Sequence, residues 1–155
     1  MLHLLAAANE GEVPFTMADI DRLSSAFAAY LLHERGMQVG EVVALQLPNS
    51  LHYPIAVFGA WKAGLIVTNV NPMYTERELD AQLADSGAKL LVACDLFAKR
   101  AEPVVAQRGV ALVLTSLSDF FPEPIAKAIQ QKLAEQAGDD LTPQVSFTRF
   151  TQRSE

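Results

Sequence analysis

The sequence has one cysteine, Cys94, and only 19% of its 155 residues are charged. A single cysteine excludes both an internal disulfide framework and a zinc site built from cysteines. Its neighbours in KLLVACD are mostly apolar, which favours a buried and unreactive thiol. Twelve Lys and Arg stand against eighteen Asp and Glu, giving a net charge of −6. Because no basic cluster interrupts this balance, we predict no nucleic-acid partner.

The sequence also lacks a long apolar run. The longest, from Pro54 to Trp61, ends at Lys62, far short of the ~20 residues that a membrane span needs. The N-terminal stretch MLHLLAAANEGEVPF has no positively charged start, and its apolar part is too short for a typical signal peptide. Half of all residues are nevertheless apolar, enough to bury a sizeable core. These features predict a soluble, cytoplasmic protein of one ordinary-sized domain.

Motifs for phosphate binding and catalysis are missing. No two of the eight glycines are adjacent, and neither G-x-G-x-x-G nor G-x-x-x-x-G-K-[ST] occurs, so we expect no self-contained nucleotide site. The histidines His3, His33 and His52 stand far apart, without a partner at metal-ligand spacing. We interpret each as a surface or helix-face residue. No serine lies in a G-x-S-x-G elbow. The residues therefore predict no catalytic group and no metal site.

What the sequence does have is clear helix punctuation. Thr16 and Thr75 are suited to cap helices, and Asp19 and Glu78 follow each of them by three residues, as in a capping box. Hydrophobic staples are expected at the same two entries, from Phe15 to Ile20 and from Tyr74 to Leu79. Glycines then stop these helices, at Gly36 and Gly87.

Short apolar strands alternate with helices after the first helix. The predicted strands cover residues 41–47, 65–70, 89–94 and 110–115. The helices between them cover 50–64, with a start that Pro54 leaves open, then 75–87, and about 95–107 with Asp95 as its cap. A last helix covers 122–137 and stops at Gly138. Strands rich in Val, Leu and Ile between helices predict an α/β three-layer sandwich with a mostly parallel sheet, over residues 1–137, followed by a loose tail at 138–155.

Parallel sheets bind ligands beyond the carboxyl ends of their strands. The polar residues expected there are Asn49, Asn69, Asn71 and Tyr74. Structural roles are sufficient to explain these residues without a ligand: Asn49 and Asn71 form turns, and Tyr74 takes part in a hydrophobic staple. A phosphoacceptor domain would need paired acids after the first strand and an acid after the third. Asp95 meets the second condition, but Pro48-Asn49 follows the first strand. These residues alone predict a fold and no active site.

Residues 42–98 resemble the N-terminal part of the AMP-forming acyl-CoA synthetases, and in particular the bacterial long-chain fatty acid–CoA ligases. The resemblance is carried by LPN at 47–49, YPIA at 53–56, KAG at 62–64, NVNP at 69–72, REL at 77–79 and DSGA at 85–88. The resemblance as a whole covers about residues 13–135. It implies an N-terminal subdomain of the acyl-adenylate-forming fold.

That family activates a carboxylic acid with ATP and Mg²⁺ and then transfers the acyl group to coenzyme A. Its phosphate loop, adenine-binding segment, ribose-binding acid and catalytic lysine lie downstream of the matched region. None can therefore be placed on a residue of this sequence, and we expect the chain by itself to hold no cofactor and to be inactive. Under this resemblance Asn49, Asn69, Asn71 and Tyr74 become scaffold residues close to the cleft of the parent enzyme.

The start of the sequence departs from the family, so the chain resembles a piece cut at both ends or the product of a rearranged gene. The expected partners are the remainder of the parent enzyme or a second copy, because a cut domain exposes apolar surface. A fatty acid substrate is expected only for the full-length parent. The resemblance to the family also implies that the parent contacts the inner face of the membrane peripherally. The alternative reading is a standalone, non-catalytic α/β binding module.

Overall fold

The computed structural model describes residues 15–120 and 123–137, and in them a first helix precedes four strand–helix units. The helices are α1 (Met17–Ala29), α2 (His52–Lys62), α3 (Glu76–Ser86), α4 (Ala98–Arg108) and α5 (Glu123–Ala137). The strands are β1 (Val42–Gln46), β2 (Ile66–Asn69), β3 (Leu90–Cys94) and β4 (Ala111–Thr115). This order confirms the predicted alternation.

The four strands form one parallel sheet in the order β2-β1-β3-β4. In the centre of the sheet, Val43 of β1 is aligned with Val67 on one side and with Leu90 on the other. The chain first moves outward from β1 to β2 and then places β3 on the opposite side of β1. The switch point of the topology, where such sheets usually bind ligands, therefore lies between β1 and β3.

Neighbouring side chains of the central strands enter two separate cores. On one face, Leu45 and Val92 pack with residues of α1 and α2 such as Phe27 and Ile55. On the other face, residues of β1 and β3 pack with α3 and α4; the core there includes Ala44, Leu91, Ala93, Leu79, Leu83 and Val104. Helices thus cover both faces of the sheet, which confirms the predicted three layers.

The predicted helix entries are confirmed at α1 and α3. Thr16 Oγ1 accepts from the backbone N–H of Asp19 at 3.2 Å, and the Asp19 carboxylate accepts from the backbone N–H of Thr16 at 2.9 Å. Thr75 and Glu78 exchange the corresponding bonds at the start of α3. At the exit of α3, Gly87 adopts the left-handed conformation that the prediction requires.

The prediction that Asp95 caps a helix is wrong. Asp95 begins a separate 3₁₀ turn, Asp95–Phe97, and α4 starts at Ala98 without a side-chain cap. Asp95 Oδ1 accepts from the backbone N–H of Leu96 at 2.9 Å and lies 3.1 Å from the thiol of Cys94. The carboxylate is thus bound to immediate neighbours instead of to amides of the helix.

The start of the second helix, left open by Pro54, is also settled. α2 begins at His52, so Pro54 is its third residue. The first-turn amides of a helix have no acceptor within the helix, so the missing N–H of proline costs little there. The predicted stop at Gly138 and the predicted tail at 138–155 lie outside the described residues.

Candidate functional site at the carboxyl edge of the sheet

The structure gives local partners to three of the predicted edge residues. Asn69 Oδ1 accepts from the hydroxyl of Tyr53 at 3.0 Å, which ties the end of β2 to α2. Asn71 Oδ1 accepts from the backbone N–H of Met73 at 2.9 Å, forming an Asx turn before α3. The carbonyl of Tyr74 accepts from Arg100 at 3.0 Å. Asn49 is exposed in the bend after β1.

Topology places these residues at one edge, but their side chains do not form one cluster. The backbone N–H of Tyr74 donates to the carbonyl of Asn71 at 3.0 Å within the turn before α3, and in the described part of the chain the side chains of Asn69 and Asn71 bond to other residues, Tyr53 and Met73. Asn71 is a turn former, as predicted, and Tyr74 packs against the core of α3 and α4. Their role near a cleft of the parent enzyme stays a prediction.

The structure assembles a polar cluster that the sequence did not reveal. His52 is buried, with 1% of its surface exposed, and its Nδ1 lies 3.1 Å from Ser50 Oγ. Its Nε2 lies 3.3 Å from Oδ2 of Asp119, a side chain 67 residues further along that is itself nearly buried. His52 does lie on a helix, one of the two placements predicted for it, but it is not a surface residue. The available signal was the short spacing of Ser50 and His52 just after a strand.

This Ser50–His52–Asp119 cluster joins two loops at the carboxyl edge. His52 is the first residue of α2 and follows the loop that leaves β1, whereas Asp119 lies in the 3₁₀ turn that leaves β4. The imidazole therefore connects the loops of two strands that are separated in the sheet by β3. The contact between the buried imidazole and the nearly buried carboxylate ties the two loops together, because breaking a buried hydrogen bond costs stability.

Cys94 lies at the end of β3 and is fully buried. Burial, and next the negative charge of Asp95, raise the pKa of the Cys94 thiol well above its ordinary range. The burial of Cys94 confirms the prediction of a buried thiol, and a raised pKa favours the protonated, unreactive form.

Two buried polar side chains at this edge have no hydrogen-bond partner among the described residues. The unpartnered atoms are Nε2 and Oε1 of Gln46, the last residue of β1, and Oγ1 of Thr115 at the end of β4. A buried polar group without a partner costs about 1–3 kcal/mol. Ordered water commonly takes this place in folded proteins.

The glycines with positive φ that the structure describes lie at the opposite, amino edge. Each occurs in a turn that leads into a strand: Gly36, Gly40, Gly64, Gly87 and Gly109. Phosphate cradles need glycine-rich backbone at the carboxyl edge, where the helices begin. Residues 15–120 and 123–137 also contain no group of three His, Cys, Asp or Glu side chains that could hold a metal ion. The carboxyl edge thus offers a scaffold with a buried polar cluster and no phosphate cradle.

Comparison with known proteins shows which family this scaffold is similar to. The family profile described as AMP-binding enzyme matches residues 5–148. The long-chain-fatty-acid–CoA ligase of Yersinia pestis is 50% identical over 115 residues, which are 74% of this chain and 20% of that ligase. Among solved structures, the adenylation domain of a carboxylate reductase from Mycobacterium chelonae has a TM-score of 0.65 at 19% identity. That match covers 91% of this chain and 22% of the reductase chain. Apo MatB from Rhodopseudomonas palustris has a TM-score of 0.59 at 22% identity. The match covers 86% of this chain and 25% of the MatB chain.

The fold is that of the N-terminal α/β region of acyl-adenylate-forming enzymes. The chain belongs to the AMP-binding enzyme family. It is similar to the N-terminal part of bacterial long-chain-fatty-acid–CoA ligases and spans about a fifth of their length. Both findings confirm the resemblance drawn from the sequence.

Proposed function

We propose that this chain is the N-terminal α/β scaffold of a fatty acid–CoA ligase and that it has no adenylating activity by itself. The observation that carries the proposal is the 50% identity, over 115 residues, to a ligase of that name. The complete reaction of such a ligase joins a fatty acid to coenzyme A, with ATP converted into AMP and pyrophosphate. This scaffold supplies a rigid sheet, and the catalytic groups come from the rest of the enzyme.

The described residues of this chain do not fit ATP or its magnesium ion. Their positive-φ glycines lie at the amino edge, away from the helix N-termini that favour anions. The His, Cys, Asp and Glu side chains of residues 15–120 and 123–137 form no group of metal-ligand size. ATP, Mg²⁺ and coenzyme A are therefore proposed as cofactors of the whole ligase, with contacts outside these residues.

What the chain contributes is the fixed placement of the loops that leave β1 and β4. The Ser50–His52–Asp119 cluster joins these loops, and the bond from Tyr53 to Asn69 fixes the end of β2. We assign to Asn49, Asn69, Asn71 and Tyr74 the role of scaffold near the ligase cleft. Preorganised loops matter because small displacements of reacting groups cost large factors in rate.

A chimera tests the proposal. The matched 115 residues of the Yersinia pestis ligase are replaced by those of this chain, and oleate-dependent formation of oleoyl-CoA is measured. We expect activity within about tenfold of the parent ligase, since a correctly packed scaffold retains the geometry on which catalysis depends. The matched control is the same chimera carrying Gly59→Leu, which forces a side chain into the contact between α1 and α2.

A folded chimera without activity would show that this scaffold cannot support the ligase reaction. The second measurement uses the 155-residue chain without the rest of the ligase, in a fatty-acid-dependent pyrophosphate exchange assay. No exchange is expected. Exchange above the level of a blank would contradict the assignment of the catalytic groups to the rest of the enzyme.

No helix within the described residues is both long and apolar enough to cross a membrane. A peripheral contact of the ligase with the inner face of the membrane stays a prediction. α5 carries Lys127 and Lys132 on its exposed surface, but Lys127 is paired with Glu123 at 3.1 Å, so these residues give no concentrated positive charge.

A further inference from the structure

The two edges of the sheet differ in how their open backbone groups are protected. At the β4 edge, Ala111 N–H bonds to β3, so the groups of Leu112 point away from the sheet. The guanidinium of Arg35 donates to the carbonyl of Leu112 at 3.4 Å. A long charged side chain on an edge is a known protection against pairing with another strand.

The β2 edge has no such protection in the described part of the chain. The N–H groups of Ile66 and Val70 bond to β1, so Thr68 also faces β1, and the backbone groups of Val67 and Asn69 point outward. β2 has the sequence IVTN, without charge or proline. Its side chains are nevertheless held: Thr68 accepts from Gln82 at 2.9 Å, and Asn69 accepts from Tyr53.

Exposed apolar side chains surround the start of this edge. Ile66 is 55% exposed, and Trp61, five residues earlier at the end of α2, is 58% exposed. Val39 is 78% exposed and packs at Gly64, whose carbonyl accepts from Gly40. An uncharged, ordered edge with exposed apolar neighbours is the arrangement that favours strand addition.

We propose that β2 is a dimerisation edge at which a second copy of this chain adds its own β2 antiparallel. The edge is self-complementary about a twofold axis at Thr68, since an isologous contact places the same patch on both sides. Val67 of one copy then exchanges both backbone hydrogen bonds with Asn69 of the other, and the two Thr68 residues face each other as a non-hydrogen-bonded pair. The product is one continuous sheet running through both copies.

A second copy is the occupant that we infer, because the edge is symmetric about Thr68. One residue with outward backbone groups lies on each side of it, Val67 and Asn69, so two β2 strands can bond to each other through all of these groups. The uncharged strand places no like charges opposite each other, whereas pairing through the β4 edges would bring two Arg35 side chains together. The proposal concerns the 155-residue chain by itself and does not depend on ligase activity.

Disulfide trapping tests the register. In a non-hydrogen-bonded pair the Cα atoms lie about 4.5 Å apart, within the range that a disulfide spans. Thr68→Cys is therefore expected to form a covalent dimer under mild oxidation. Ile66→Cys is the matched control, because in this register the two copies of residue 66 lie about 13 Å apart along the strands. The native Cys94 is buried and stays unreacted.

Sedimentation velocity over a hundredfold range of concentration tests the association itself. We expect a dimer that Ile66→Lys shifts to monomer at equal concentration, with an unchanged circular dichroism spectrum. Leu96→Lys, a matched change at a residue that is 44% exposed and follows the inner strand β3, leaves the dimer intact. A monomer at every concentration overturns the proposal. So does a dimer that Ile66→Lys leaves unchanged, or one that cross-links equally well through residue 66.

Discussion

Gly59 of α2 lies so close to Phe27 of α1 that a Cβ atom at residue 59 would stand 2.8 Å from Phe27 Cδ1. The same atom would lie 2.9 Å from the backbone carbonyl oxygen of Ser24. Real Cβ contacts are not this short, so the missing side chain of Gly59 sets the spacing of the two helices. The two helices form one layer of the sandwich, and the contact at Gly59 therefore decides how tightly that layer closes.

Gly59→Ala is expected to destabilise the chain although alanine favours helices more than glycine does. The added methyl group displaces a buried ring or a helix backbone, and overpacking of this kind costs about 1–3 kcal/mol. Urea unfolding measures the difference. The matched control is Gly87→Ala, where the surrounding space is open but φ is +65°.

Substitution by asparagine separates the two causes of destabilisation, lack of space at residue 59 and backbone strain at residue 87. Gly87→Asn restores much of the stability that Gly87→Ala loses, because asparagine tolerates the left-handed region. At Gly59 it is worse than alanine, because the limit there is space. Equal responses of the two sites to asparagine would contradict this account.

His52→Asn is expected to destabilise the chain more than any exposed histidine change. It breaks the contact with the nearly buried Asp119, and removing one partner of a buried hydrogen bond costs about 1–3 kcal/mol. The matched control is His33→Asn at an exposed position, with an expected change of less than about 0.5 kcal/mol. Similar unfolding midpoints for the two variants would show that the Ser50–His52–Asp119 cluster contributes no stability.

Lys62 joins α2 to α1 through one ammonium group. Its Nζ lies 2.7 Å from Oδ1 of Asp21 and within 2.9 Å of the carbonyl of Asp21 and the hydroxyls of Ser24 and Ser25. Because Asp21 is largely exposed, Lys62→Met should cost only about 1 kcal/mol. The loss should shrink in 1 M salt, measured by thermal unfolding. Lys99→Met, at an exposed position of α4, is the control and should leave stability unchanged.

Thr16→Val removes the side-chain half of the first capping box and should cost about 1 kcal/mol. The same change has a signature in the titration of Asp19. Hydrogen bonds from Thr16 hold the pKa of the Asp19 carboxyl below its ordinary value. Stability from this group is therefore present above the ordinary carboxyl pKa of about 4 and is lost as pH falls through the lower folded pKa.

NMR titration of the Asp19 carboxyl measures this directly. In Thr16→Val the pKa should rise toward the ordinary range, whereas Thr75→Val, the equivalent change at α3, should leave Asp19 unaffected. An unchanged pKa in Thr16→Val would mean that the cap hydrogen bonds do not set the titration of Asp19.

The sequence by itself determined where the main helices and strands lie, and the residues at their ends show why. Thr16, Thr75 and Gly87 act on backbone groups within a few positions, so their effects are encoded locally. The family was recognisable for a related reason, because its characteristic sequence motifs are short, local segments. Asp95 was wrongly predicted as a cap since two local partners, Leu96 and Cys94, compete for its carboxylate.

Only the tertiary structure decided the order of the strands, the open edge at β2 and the burial of His52. His52 meets Asp119 across 67 residues, and Lys62 meets Asp21 across 41. Such contacts depend on how whole elements are arranged around the sheet. Since no spacing along the chain encodes that arrangement, the paired histidine and the unprotected edge appear only once the strands are assembled.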